Sequence, residues 1–122
     1  MMEKFLFIPV DGPMQVVEAD ASNRVSFFCQ VEEMLECDWL EFVRCGEYFL
    51  IVDEVGKICE PPKAVNKRAS CLYPGSDFGD FIHGNVLIGA HGMRDGEPDF
   101  VGLRPSQLHI LRNFFLAIGE VQ

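Results

Sequence analysis

The chain has 122 residues, of which 48% are hydrophobic, and a formal net charge of −9 at pH 7. This length fits one domain with a single hydrophobic core, and the longest apolar stretches are far shorter than the roughly 20 residues that cross a bilayer. The negative charge argues against unspecific attraction to nucleic acid or to anionic lipid.

The net charge is concentrated in the first half of the sequence. Residues 1–60 contain 13 acidic and 4 basic side chains, whereas residues 61–122 contain 6 of each. This segregation predicts an acidic end or face, which favours a basic partner.

The cysteines and the amino-terminal residues indicate a cytoplasmic protein. Five cysteines are an odd number without the close spacing of a disulfide framework, which favours reduced thiols. Residues Glu3 and Lys4 do not head a signal peptide with a cleavage site. We therefore expect no disulfides and no membrane association.

The first third of the chain predicts a β-hairpin followed by an amphipathic helix. Residues 4–10 and 14–18 are β-prone and flank a turn signal at residues 11–13. Apolar side chains then recur at helical spacing over residues 23–37. Three acidic residues lie outside that apolar stripe: Glu32, Glu33 and Glu36.

The middle of the chain predicts a second hairpin. Residues 40–45 and 48–53 are strand candidates, and the Gly46-Glu47 turn between them suits type II′ geometry because glycine occupies its first position. A further short strand is predicted at residues 57–59, before Pro61-Pro62 stops regular structure.

The last third predicts two strands and a closing helix. Residues 85–90 and 99–101 are strand candidates separated by an exposed loop, and a helix is predicted over residues 105–119 with Pro105 at its first position. The expected fold is therefore α+β, a single domain with a mostly antiparallel sheet of about five or six short strands. We expect its two main helices mainly on one face.

Residues 51–103 carry a resemblance to a known family. The order of features is Ile51 to Lys57 with a Gly-Lys turn, then Pro61-Pro62, an apolar strand between Gly84 and Gly92, and Asp99 to Leu103 leading into a helix. This resembles a domain-of-unknown-function family of small proteins from phages, plasmids and integrative elements of Gram-positive gut bacteria. That family shows a Gly-Lys turn, a Pro-Pro-Asn motif followed by alanine, and a G-x-x-x-V-x-G strand.

The resemblance implies that the protein is encoded on a mobile genetic element, and small acidic proteins of such elements often counter host restriction or CRISPR systems. Two positions depart from the family pattern. Lys63 stands where the family often has asparagine, and Arg104 replaces the helix-capping hydroxyl.

Candidate metal and catalytic residues are sparse in the sequence. A zinc site from Cys71, His83 and His91 would require His83 and His91 to approach across a strand. A second possibility is a carboxylate cluster for a divalent ion, formed by Asp53, Glu54, Asp77 and Asp80. No nucleophile or phosphate-binding loop stands in a recognisable motif, so the sequence favours a protein that is not an enzyme and needs no cofactor.

The leading functional hypothesis is an acidic interaction protein with a counter-defence role. Its partner would be a basic, nucleic-acid-handling host protein rather than nucleic acid itself. The predicted contact face is Glu32, Glu33, Glu36, Asp38 and Glu41, and Trp39 is either a core residue or an interface anchor.

Two alternatives stay open at this point. One is a small domain that sequesters a nucleotide signal or a divalent ion, with a pocket near residues 85–92 and the Pro61-Pro62 loop. The other is a hydrolase.

Overall fold

The structure, a computed structural model, describes the backbone of residues 2–121 and the side chains of residues 2–118. It confirms an α+β domain with an antiparallel sheet of six strands. In chain order the elements are β1 (Glu3–Ile8), β2 (Gln15–Ala19), α1 (Arg24–Leu35), β3 (Leu40–Cys45), β4 (Tyr48–Asp53), α2 (Lys67–Leu72), a 3-10 helix (Pro74–Phe78), β5 (Val86–Arg94), β6 (Glu97–Val101) and α3 (Pro105–Val121). None of the described helices combines the length and apolar character needed to cross a membrane.

Strand β5 is the centre of the sheet, whose strand order is β2-β1-β5-β4-β3, with β6 also paired to β5. The first part of β5 pairs with β1, and its second part pairs with β6. At the junction, Gly89 leaves room for an aromatic ring, because a Cβ atom there would lie 2.3 Å from Cε2 of Phe100. All the strand pairings are antiparallel, as the sequence predicted.

Helices cover both faces of the sheet, which corrects the expectation that they pack mainly on one face. Alternate residues of the strands point to opposite sides. One side, including Phe5, Ile51 and Leu87, packs against Phe27, Val31 and Leu35 of α1. The other side, including Leu50 and Ile88, packs against α2 and α3. The central strands are therefore buried on both faces of the sheet.

A half-buried polar network fixes the start of α1 on the sheet. Arg94 donates to both carboxylate oxygens of Glu3, at 3.0 and 3.2 Å, and to Asp99 at 3.2 Å. Asp99 also pairs with Arg24, the first residue of α1. Glu3 in turn accepts from the backbone N–H groups of Ala21 and Gly102. The network joins β1, β5, β6 and the entry to α1.

Two local predictions were wrong, and one short helix was missed. Residues 57–59 form turns rather than a strand. The expected exposed loop at residues 93–98 is the tip of the β5–β6 hairpin. Helix α2 was missed because it has only six residues, and its stability comes from Asn66, whose buried side chain accepts from Ala69 N–H and donates to the carbonyls of Ile8 and Gly84.

The network at the start of α1 makes stability depend on pH. Burial disfavours ionisation of Asp99, but hydrogen bonds from Arg24 and from the Phe100 N–H outweigh that effect and hold its pKa below the usual value of 3.8. A lowered folded-state pKa contributes stability above the unfolded-state pKa, and that contribution is lost as the pH falls below it.

We expect the free energy of unfolding to fall as the pH is lowered from about 5 to 3, and we expect Asp99→Asn to reduce this slope. Denaturant titration at each pH measures the free energy of unfolding of the wild type and of the variant. Equal slopes for the wild type and the variant would contradict a lowered pKa of Asp99.

Candidate functional site

Three segments of the acidic half meet at one end of the sheet. They are the end of α1, the start of β3 and the end of β4. Leu40 pairs with Asp53, and the N–H of Glu54 donates to the carbonyl of Trp39 at 2.9 Å. Residues that are distant in sequence are thus neighbours here.

The ammonium group of Lys63 holds this end together. Its Nζ atom donates to the carbonyls of Leu35 at 2.9 Å and Glu36 at 2.8 Å, and it lies 2.9 Å from Oδ2 of Asp53. The side chain of Asp53 is only 4% exposed. A cation at the negative end of the α1 dipole is favourable, and the same cation neutralises a buried carboxylate.

The residues around Lys63 are also fixed through the backbone. The N–H of Lys63 donates to the carbonyl of Gly56 at 2.9 Å, and its carbonyl lies 2.7 Å from Nδ1 of His83. Because a carbonyl only accepts, Nδ1 of His83 carries the proton and donates. His83 therefore has a structural partner, and the segment from Gly56 to Lys63 is closed against the sheet.

The predicted contact residues do not all share one face. Glu32 and Glu33 lie in the last turn of α1, Glu36 caps its end, and Asp38 is exposed in the connection to β3. Glu41 pairs with Val52, whose side chain belongs to the α2 and α3 side of the core. Glu41 therefore points to the side of the sheet opposite α1.

We call the set that surrounds this end of the sheet the acidic corner. Its members are Glu32, Glu33, Glu36, Asp38, Glu41 and Glu54. Within residues 2–118, none of these carboxylates takes part in an ion pair. Trp39, which follows Asp38 in the chain, is 64% exposed, so it is not a core residue.

The acidic side chains oppose the dipole of α1. The last turn of this helix has no basic residue of its own, and Glu32, Glu33 and Glu36 stand beside its carbonyl end, where negative charge is unfavourable. Lys63 offsets only part of this repulsion. A charge arrangement that the fold does not need is typical of a binding surface.

A polar cleft of about 420 Å³ adjoins the acidic corner on the α2 side. Glu41, Asp53 and Glu54 line it from the strands, and Lys57 and Asp80 line it from the loops. Asp80 is already engaged, because it pairs with Lys57 and accepts from the hydroxyl of Tyr73 at 2.8 Å. Asp77 does not line the cleft, so the predicted four-carboxylate cluster does not form.

The predicted zinc ligands are also apart. Cys71 is exposed on α2, whereas the ring of His91 packs against Phe49 on the α1 side of the sheet. His83 precedes β5 and His91 lies beyond its buried centre. Across the described part of the chain, no three His, Cys, Asp or Glu side chains form a group that could hold a metal ion.

Burial affects the thiols of two cysteines, Cys37 and Cys45. All five are free. Burial and then the Asp53 carboxylate raise the pKa of Cys37, which lies beside the acidic corner, and burial raises the pKa of Cys45. Both stay protonated at neutral pH and are poor nucleophiles.

The predicted ligand pocket around residues 85–92 is largely filled by the core. Val86 to Ala90 are buried at the centre of the sheet. Asn85 is used structurally, because its side chain accepts from Val10 N–H at 2.9 Å. Leu87 reaches the floor of a groove of about 350 Å³ between β2 and α1, and Glu33 lines its rim.

Comparison with protein-family models, with curated proteins and with solved structures finds no match for this chain. The resemblance to the family of mobile-element proteins stays a prediction. Function must therefore be argued from the acidic corner itself.

Removing the cation at this corner tests its structural role. We expect Lys63→Met to lower the free energy of unfolding by about 3 kcal/mol, because Asp53 would stay buried without a counter-charge. This is the low end for a broken buried pair, since the Lys63 side chain is 26% exposed. Chemical denaturation measures the loss.

Lys67→Met on the exposed surface of α2 is the matched control and should change stability by no more than about 0.5 kcal/mol. In the background of Asp53→Asn, the loss caused by Lys63→Met should shrink. Similar small losses for both methionine variants would contradict the role given to Lys63.

Proposed function

We propose that this chain is a non-enzymatic interaction protein whose acidic corner binds a basic surface on a protein that handles nucleic acid. The observation that carries the proposal is the acidic corner: within residues 2–118 none of its six carboxylates is in an ion pair, and all but the half-buried Glu32 are exposed, as is Trp39. An exposed tryptophan is the kind of residue that anchors such interfaces, and a cluster of uncompensated negative charge attracts a positively charged partner.

The basic side chains support this reading by their positions. Four of the 10 basic residues, Arg24, Lys57, Lys63 and Arg94, form ion pairs with carboxylates that are not members of the acidic corner. Arg68 donates to the carbonyls of Pro9 and Gly12 at 2.6 and 2.7 Å. These five basic residues therefore have partners other than the carboxylates of the acidic corner.

The mechanism follows from electrostatics. A positively charged groove that holds nucleic acid attracts an acidic surface, so the bound protein excludes the nucleic acid by occupying its place. Steering speeds association, and the attraction weakens as salt screens the charges. The indole of Trp39 adds apolar contact area at the centre of the contact.

The resemblance to mobile-element proteins narrows this proposal. An inhibitor of the anti-CRISPR or antirestriction type acts in the cytoplasm of a host cell and has a nucleic-acid-handling enzyme as its target. The acidic corner has the charge that such a target requires.

A second candidate function is the binding of a small ligand in the polar cleft. Its volume of about 420 Å³ falls in the range of ligand pockets. The carboxylates that line it repel the phosphates of a nucleotide signal, so a small organic cation is the ligand that fits best. Thermal stabilisation by polyamines at moderate salt tests this candidate.

The proposed function is tested by affinity capture from a bacterial lysate at low and high salt, followed by mass spectrometry. We expect a nucleic-acid-handling protein to be retained at low salt and lost at high salt. Its purified form should bind Glu32→Lys/Glu36→Lys at least about tenfold more weakly than the wild type, because two attractive charges become repulsive.

The matched control is Asp95→Lys/Glu97→Lys, which changes the net charge equally at exposed residues of the β5–β6 tip, at the end of β5 far from the acidic corner. It should weaken binding much less. Equal losses for the two double variants would show that net charge alone matters, and unchanged binding by Glu32→Lys/Glu36→Lys would reject the acidic corner as the contact.

A further inference from the structure

Strand β3 has a free edge, and its register shows which backbone groups are unpaired. Cys45 and Tyr48 close a two-residue turn, so they exchange both backbone hydrogen bonds. The pattern alternates along the ladder, and Val43 and Glu41 therefore also bond to β4. The N–H and C=O groups of Leu40, Phe42 and Arg44 point away from the sheet.

No described neighbour uses these outward groups. Among the backbone hydrogen bonds in residues 2–121, none outside the β3–β4 ladder involves Leu40, Phe42 or Arg44. β3 contains no proline and no bulge over its six pairs, and its charged side chains are Glu41 and Arg44. By contrast, β6 carries Pro98.

The two sides of this edge differ in chemistry. On the α1 side, the ring of Phe42 is half-buried against Phe28 and Phe49, and Glu32 follows Phe28 by one helical turn. On the other side, Glu41 and Glu54 line the polar cleft with Val43. An added strand would thus meet an aromatic surface on one side and carboxylates on the other.

We propose that the edge of β3 accepts an extended basic segment of the partner as an added strand. The segment would place lysine or arginine side chains over Glu41 and Glu54, and apolar side chains over Phe42. Its backbone would pair with the outward groups of Leu40, Phe42 and Arg44. This inference rests on the proposed function and specifies how the acidic corner holds its partner.

Charge and register disfavour a second copy of this chain at the same edge. Antiparallel pairing of two β3 strands about Phe42 places Leu40 opposite Arg44 and Glu41 opposite Val43, so no opposite charges meet directly. It also brings together two acidic corners of chains that each carry a net charge of −9. A basic segment is attracted by the net negative charge, and Arg44 is the one basic side chain of β3 that it would meet.

The probe is a short synthetic peptide that alternates lysine with valine. The matched control peptide has the same sequence with N-methyl groups on alternate backbone amides, which keeps its charge and removes its strand hydrogen bonds. We expect only the first peptide to bind. At saturation it should slow hydrogen exchange of the amides of Leu40, Phe42 and Arg44 by about tenfold or more, since these become hydrogen-bonded.

A pair of variants tests the same edge from the protein side. Arg44→Pro removes an outward N–H without breaking the β3–β4 ladder, whereas Arg44→Ala removes the side chain and keeps that N–H. We expect Arg44→Pro to weaken peptide binding by about tenfold, through the lost hydrogen bond and the ring that blocks the edge. Arg44→Ala should bind as the wild type or slightly better. If Arg44→Pro does not fold, the N-methylated peptide and the hydrogen-exchange data still test whether the peptide adds a strand to β3.

The outcomes separate this inference from the proposed function. Suppose that Glu32→Lys/Glu36→Lys loses binding while the N-methylated peptide binds the wild type fully. This result would support charge attraction and overturn the added strand. Absence of peptide binding would also overturn the added strand. The proposed function would then still be tested by the binding of the captured partner. A wild-type dimer that the Arg44→Pro variant cannot form would also overturn the inference, because the edge of β3 would then bind a second copy of this chain.

Discussion

The contacts of Lys63 are the interaction on which the functional end of this molecule depends. One ammonium group meets the last carbonyls of α1 and the buried carboxylate of Asp53, and the backbone of the same residue holds Gly56 and His83. Burying Asp53 without this cation would be costly. Because the ammonium group of Lys63 is engaged by these internal partners, it offsets only part of the repulsion among the acidic side chains around it. The same contact therefore stabilises the acidic corner and leaves its outer charges free.

The packing of the sheet decides where a function can reside. β5 is paired on both edges over much of its length and covered on both faces, so the centre of the molecule is occupied by its own core. Binding is left to the periphery, where the acidic corner, the polar cleft and the edge of β3 adjoin one another. Charge at this place gives attraction over distance, and strand pairing gives a fixed geometry at contact. The two effects are complementary, since long-range attraction alone does not specify how a partner is oriented.

Local signals were sufficient for several elements. The hairpin of β3 and β4 was predicted with its observed bounds because a glycine turn sets its register, and Gly46 has the positive φ of 62° that the predicted turn requires. The two long helices were predicted because their apolar residues recur at helical spacing. α2 and the ends of the β5–β6 hairpin were missed, because the first is held by the tertiary contacts of Asn66 and the second by pairing with a neighbour.

The sequence by itself determined the α+β class, the negative charge and its concentration in the first half, because composition and periodicity are properties of the chain. Only the tertiary structure decided that helices cover both faces, since the apolar run in β5 does not say what covers each side. It also decided that Glu41 points away from α1, that Glu54 joins the acidic corner and that Lys63 is internal. Each of these outcomes depends on strand register or on a contact between residues distant in sequence. A local sequence pattern specifies neither the register nor such contacts.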